Sequence, residues 1–146
     1  MKTAFILSLV IVFIIGSCAK QENKFPQGAW QLVSSTHFTG NIIAWQFPGD
    51  YSGSDIVIFS EGHLLSVGLF KRDTIVINNY VGASYTLDGN HYEETLLYFP
   101  NPESVGQIIK QILELRNDTL IKSYPCDDNW ELNKSEYTVE KFVRIK

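Results

Sequence analysis

From Gly28 onward, turn-forming residues interrupt the chain about every ten residues, and the stretches between them are rich in Val, Ile, Thr and aromatic side chains. That spacing is the pattern of an antiparallel sandwich or barrel, in which each short strand returns through a tight turn and buries alternate side chains. Aromatic residues make up 13 % of the chain. Lying among β-branched residues, they fit strands and exclude a disordered chain or a helical bundle.

The strands follow from the turns. Gly28–Thr39 reads as a first strand with Trp30, Leu32 and Phe38 on one face, and Gly40-Asn41 turns it into Ile42–Phe47. Residues 48–54 (PGDYSGS) form a loop. Strands 55–59 and 64–70 flank Glu61-Gly62, and strands 75–77 and 80–87 flank Asn78-Asn79. Asp88-Gly89-Asn90 is the clearest turn, because Asp-Gly adopts the positive φ that a type I′ hairpin demands, and 91–99 returns from it. Residues 101–115 carry two periods. Asn101-Pro102-Glu103 opens like a helix and Val105, Ile108, Ile109 and Ile112 keep helical spacing, yet 111–115 alternate. We read one short helical turn at 102–105 and then a strand to Arg116. Asn117-Asp118 leads into Thr119–Tyr124, 125–135 is a loop, and 137–145 closes the domain.

The N-terminus has a different character. Met1 and Lys2 precede an apolar run from Ala4 to Ile15 (AFILSLVIVFII). As a helix those residues rise only about 18 Å, short of a ~30 Å hydrocarbon core, which is the length of a signal-peptide apolar region. Ile15-Gly16-Ser17-Cys18 follows and resembles the lipobox read by lipoprotein signal peptidase. The resemblance implies that residues 1–17 are removed and that the Cys18 thiol receives diacylglycerol. Further acyl chains, palmitate among them, would complete a strong membrane anchor. The alternatives are an ordinary secretory leader cut near Ser17 or Ala19, or an uncleaved anchor. Ala19 stands where many lipoproteins retained in an inner membrane carry Asp, so the expected location is the outer membrane of a Gram-negative cell envelope. Residues 18–25 are then the lipidated Cys and a polar tether, reaching at most about 25 Å, and 26–146 are the domain. With Cys18 lipidated, Cys126 is the remaining thiol and no intrachain disulfide can form.

Charge excludes several functions. The net charge is −4, and losing Lys2 makes the mature chain one unit more negative. No basic cluster is present, so nucleic acid is not an expected partner. His37, His63 and His91 fall on separate segments without the spacing of a metal site. Glu93 and Glu94 point to opposite faces of one strand and cannot flank a glycosidic bond. Asp127-Asp128-Asn129 lacks the spacing of a calcium loop, and Cys126 has no base beside it. No phosphate loop, nucleophile elbow or dinucleotide fingerprint occurs, so neither an enzyme nor a cofactor is expected.

Four pieces of the domain occur in a familiar order: Gly28-Ala29-Trp30-Gln31-Leu32-Val33; Gly82 with Tyr85-Thr86-Leu87-Asp88-Gly89; Tyr92-Glu93-Glu94; and the terminal Glu140-Lys141-Phe142-Val143-Arg144-Ile145-Lys146. Together they resemble the small lipocalin-like domains of bacterial envelope proteins, over nearly all of residues 28–146. Phe142 departs from the pattern, where relatives usually carry Trp, and so does the loop around Cys126-Asp127-Asp128. The resemblance implies a small antiparallel up-and-down barrel of eight to ten strands, and no single activity. It also implies that Trp30 packs at the closed end of the barrel under Arg144, a cation–π plug. The alternative is that Arg144 is a solvated terminal residue.

Among polar residues, alternation singles out Glu94. It shares a face with Tyr92, Leu96 and Tyr98, and a carboxylate inside a barrel needs a partner or a raised pKa. Glu140, Phe142 and Arg144 likewise share a face, which would let Glu94 meet Arg144. The functional reading makes Glu94, Tyr92 and Tyr98 the polar anchors of a cavity holding a small apolar or amphipathic ligand. The structural reading makes Glu94 a satisfied ion pair or a rim residue. Two functions therefore stand: a ligand-binding envelope lipoprotein, or a non-catalytic module with a side-chain-filled barrel that binds another envelope protein.

Overall fold

A computed structural model describes residues 25–146. The leader, Cys18 and most of the tether lie outside the described residues. Nine strands follow one another: β1 (Gly28–Thr39), β2 (Ile42–Phe47), β3 (Ser52–Ser60), β4 (His63–Arg72), β5 (Ile75–Asp88), β6 (His91–Tyr98), β7 (Ile108–Arg116), β8 (Thr119–Tyr124) and β9 (Glu136–Arg144). A single 3₁₀ turn, Pro102–Ser104, separates β6 from β7, capped by the Asn101 side chain accepting from the Glu103 amide.

Neighbouring strands pair antiparallel from β3 through β9, and β9 closes on β1 from Trp30↔Arg144 to Thr39↔Glu136. The first part of β1, Gly28 to Gln31, pairs with β3, while Ser35 to Thr39 pair with β2. The result is a closed eight-stranded antiparallel barrel, with β2 as an extra strand along the second half of β1. At eight strands a barrel interior is wide enough to be filled by side chains or to hold one small ligand.

Alternation decides what goes inside. On β3, Asp55, Val57 and Phe59 are buried while Ile56 and Ile58 are exposed. The fully buried Trp30, Tyr92, Leu113, Leu120 and Phe142 pack together in the core, and Pro26 is buried with them. The Trp30 indole donates to the Pro26 carbonyl at 2.7 Å, so its one polar atom is satisfied there.

The structure corrects several strand assignments. Asn78-Asn79 is not a turn: β5 runs unbroken from Ile75, paired with β4 from Arg72↔Ile75 to His63↔Ser84. The hairpin instead turns at residues 73–74, where Asp73 takes φ 53°. Asn79 is held in the strand because its side chain donates to Asp55 at 2.7 Å. β3 begins at Ser52 within the expected loop, extended by pairing with Lys71 and Phe70 of β4.

Two side chains leave their expected face, each at an irregularity in pairing. The register of β1 against β9 shifts between Leu32 and Ser34. Trp30 and Leu32 are buried before the shift and Ser35 after it. Phe38 therefore departs from the Trp30 face and stacks on Tyr137 at 4.7 Å between ring centres. The register of β5 against β6 shifts between Gly82 and Ala83, which pair with Tyr98 and Leu96. Tyr98 is thereby turned outward and is 71 % exposed, whereas Phe99 packs against the core. The Tyr98 ring lies on Gly82, where a Cβ would come within 2.8 Å of it, so the absence of a side chain there makes room for the displaced ring.

Candidate functional site

Each of the eight barrel strands contributes a polar side chain to the interior. They are Ser35 from β1, Asp55 from β3, Ser66 from β4, Asn79 from β5, Glu94 from β6, Gln111 from β7, Lys122 from β8 and Glu140 from β9. Alternation places all of them but Ser35, each two residues from a core or core-packed neighbour on its own strand, while Ser35 is turned inward by the register shift between Leu32 and Ser34.

The belt has two parts. On β3 to β5, the Asp55 carboxylate accepts from the Ser66 hydroxyl at 2.9 and 3.0 Å and from the Asn79 amide at 2.7 Å. On β6 to β9, Glu94 Oε2 accepts from the Tyr92 hydroxyl and from Gln111 Nε2, both at 3.1 Å, and lies 3.5 Å from the Lys122 ammonium. Lys122 also approaches Glu140 at 4.0 Å, and Glu140 accepts from the Tyr124 hydroxyl at 3.0 Å. The Lys122 ammonium sits 5.8 Å from the ring centres of both Tyr92 and Tyr124, within cation–π range.

Electrostatics reflect this crowding. Burial raises the pKa of Asp55, against the hydrogen bonds from Ser66 and Asn79 that favour its charged form. Burial likewise raises Glu140, opposed by Lys122 and the Tyr124 hydrogen bond. Burial pulls Lys122 down, but Glu94 and Glu140 outweigh it and its pKa is raised. Tyr92 and Tyr124 are pushed well above the usual phenol range, first by burial and then by the neighbouring carboxylates.

Two adjoining cavities, of about 240 and 260 Å³, share Asp55, Asn79 and Glu140. The first is walled by Val57, Leu64, Leu96, Ile109 and Phe142. The second is the more open and more aromatic, with Trp45, Phe47, Tyr51 and Phe70 around it. Two buried polar atoms lack a hydrogen-bond partner among the described residues, Gln111 Oε1 and Ser35 Oγ, and their residues line the first and the second cavity respectively. These residues are only 2 % and 4 % exposed. A buried polar group without a partner costs free energy unless something satisfies it.

Of the residues named from the sequence, Glu94 (4 % exposed) and Tyr92 lie inside and bond each other. Tyr98 does not join them, being outside the barrel for the reason given above. Glu94 does not meet Arg144 either; its ionic partner is Lys122. Arg144 lies over Trp30 with its guanidinium carbon 4.2 Å from the ring centre. Its Nη1 donates to the Gln27 carbonyl at 2.6 Å. Cys18 lies outside the described residues.

Lys122, Asp55, Asn79 and Gln111 were not singled out by sequence reasoning. For Lys122 the signal exists: Leu120, Lys122 and Tyr124 share one face of a short strand, the argument already applied to Glu94. Asp55 and Asn79 were obscured because one borders a loop and the other belongs to a turn-like Asn-Asn pair. Glu93 points outward near Lys110, which bonds Asp128 at 2.8 Å on the surface. Asp127 caps its own loop by accepting from the Asn129 and Glu131 amides. Among the described residues no three His, Cys, Asp or Glu side chains are grouped so as to hold a metal ion.

In comparisons with known proteins, no family model matches the chain and no curated protein matches it.

Proposed function

We propose that the protein is a membrane-anchored envelope lipoprotein whose barrel binds one small amphipathic molecule. The observation that carries the ligand is the pair of adjoining cavities, whose linings include Gln111 and Ser35, each with a buried polar atom that has no hydrogen-bond partner among the described residues. The second cavity, with mainly apolar and aromatic walls and a few polar groups, has the usual make-up of a small-molecule site, and the first adds a denser set of polar groups beside it. The anchor is read from the apolar leader and Ile15-Gly16-Ser17-Cys18. Membership among lipocalin-like envelope domains is read from the Gly28-Ala29-Trp30 opening together with Arg144 over Trp30.

Native mass spectrometry of the protein isolated from its own host tests the binding reading. A persistent small-molecule adduct, displaced on unfolding, is the expected result. Protein that is always free of any adduct, and that takes up nothing from host extract, overturns it.

A second reading has one observation in its favour. Ile56, Ile58, Leu65, Val67, Leu69 and Tyr80 are all exposed, and the pairings Ile56↔Val67↔Tyr80 and Ile58↔Leu65 make them one outer face of β3 to β5. A contiguous apolar surface of this kind suits docking of another envelope protein. Co-purification of one defined partner, lost on Val67→Lys while the cavities stay empty, would favour it.

A further inference from the structure

Within the ligand-binding reading, on which it rests, we propose that the ligand is a cation. It carries a protonated amine, held where the two cavities meet between Asp55 and Glu140, and an apolar tail lying against Phe47 and Phe70 in the aromatic cavity.

The interior has a surplus of acceptors. Asp55, Glu94 and Glu140 bring three carboxyl groups, and among the described residues Lys122 brings the one cationic side chain that lines either cavity. That ammonium is already engaged, 3.5 Å from Glu94 and 4.0 Å from Glu140. Asp55 has no cationic side chain within ion-pair distance among the described residues, and its bonds come from the neutral donors Ser66 and Asn79. The unpartnered Gln111 Oε1 is an acceptor as well, and the Ser35 hydroxyl can accept. Carboxyl groups therefore outnumber cationic side chains in the cavity linings among the described residues, and an ammonium supplies positive charge with three donors and no acceptor.

Other head groups fit less well. A carboxylate or phosphate would place a further negative charge beside Asp55 and Glu140, and its only counter-charge would be a lysine already paired. A neutral hydroxyl would relieve no charge. The carboxyl groups are spread around the belt and not gathered as metal ligands. An ammonium needs only two of them, one on either side, fewer than a metal site takes. The rings of the second cavity give the tail an apolar wall, and any part of the cation near them gains from their negative faces. The burial that disfavours ionisation of Asp55 and Glu140 in the empty barrel points the same way, since a bound cation would offset it.

Isothermal titration calorimetry near neutral pH, with octylamine, 1-octanol and octanoate as probes sharing one tail, separates these possibilities. Octylamine is expected to bind at least about tenfold more tightly than 1-octanol, as an added charge-assisted hydrogen bond would give, with octanoate weakest. Asp55→Asn should abolish most of that preference, read as the ratio of octylamine to 1-octanol affinity within the same variant. Glu140→Gln provides the same comparison should Asp55→Asn fail to fold. If 1-octanol or octanoate binds as tightly as octylamine, the cation is wrong and the ligand-binding reading survives. If none of the three binds, both are overturned. An octylamine preference that persists in both folded variants overturns the assignment to Asp55 and Glu140.

Discussion

Arg144 holds its guanidinium over the Trp30 ring at the start of the barrel, and Gly28 is what allows it to lie there. A Cβ on Gly28 would stand 2.5 Å from Arg144 Nη1. Gly28 also takes φ +111°, which an L side chain rarely adopts. Trp30→Ala should cost about 3–5 kcal/mol, as for other fully buried large aromatics. Arg144→Ala should cost less, about 1–3 kcal/mol, from the lost cation–π contact and hydrogen bond. The two losses should be non-additive in denaturant melts. Strict additivity would mean that the two side chains are not energetically coupled.

The Lys122 ammonium has two buried acidic neighbours, so its loss should be more harmful than the loss of either one. Lys122→Met keeps the apolar stem but leaves Glu94 and Glu140 without their counter-charge, and should destabilise by about 3–5 kcal/mol. Glu94→Gln keeps an acceptor for Tyr92 and should cost about 1–3 kcal/mol. The double variant Lys122→Met with Glu94→Gln should recover part of the Lys122→Met loss. Urea melts of the three proteins measure this. A Lys122→Met protein as stable as the wild type would mean that the ammonium is solvated and not part of the interior network.

The limits of sequence reading lie in these same elements. Turn chemistry located the strands well because Gly40, Gly62 and Gly89 take the positive φ values that their hairpins need. Inward faces were legible wherever alternation ran unbroken, as from Tyr92 to Leu96. They failed at Phe38 and Tyr98, because a pairing irregularity belongs to two strands at once. The room for Tyr98 comes from Gly82 on the partner strand, which no property of β6 alone reveals. The polar belt was legible only in part for a related reason. One inward carboxylate announces that a partner is needed, but finding Lys122 requires knowing that β6 and β8 both flank β7, so that their inward side chains meet.

The anchor is testable independently of the barrel. Cys18→Ser should abolish lipidation, leaving uncleaved precursor or shifting the protein out of the membrane fraction. Processing and membrane fractionation unchanged from wild type would refute the lipoprotein reading. Cys126→Ser should alter neither, and should not change mobility on non-reducing gels. Cys126 is free, and burial raises its thiol pKa.

The last prediction concerns pH. Asp55 and Glu140 have folded-state pKa values raised by burial. For a group raised on folding, the native state holds its proton more tightly than the unfolded chain does. Its stabilising contribution is complete below the unfolded pKa and is lost as pH rises through the folded one. Without ligand, then, these two groups should make the barrel lose stability as pH rises from the ordinary carboxylate range, about pH 4, toward neutrality. Lys122 is also raised, so its contribution follows the same sign but is lost only at alkaline pH. Asp128 shifts the opposite way, lowered by its Lys110 hydrogen bond, but that pair is on the surface and screened. Comparing the wild type with the Asp55→Asn, Glu140→Gln double variant removes the background of the surface groups, which neither substitution touches. The melting temperature of the wild type should fall relative to the variant as the pH is raised above about 4. Adding octylamine should reduce that fall in the wild type alone. A difference that is flat across this range, or that grows in favour of the wild type, would show that the two carboxyl groups ionise in the barrel without cost, and the case for a bound cation would lose its electrostatic support.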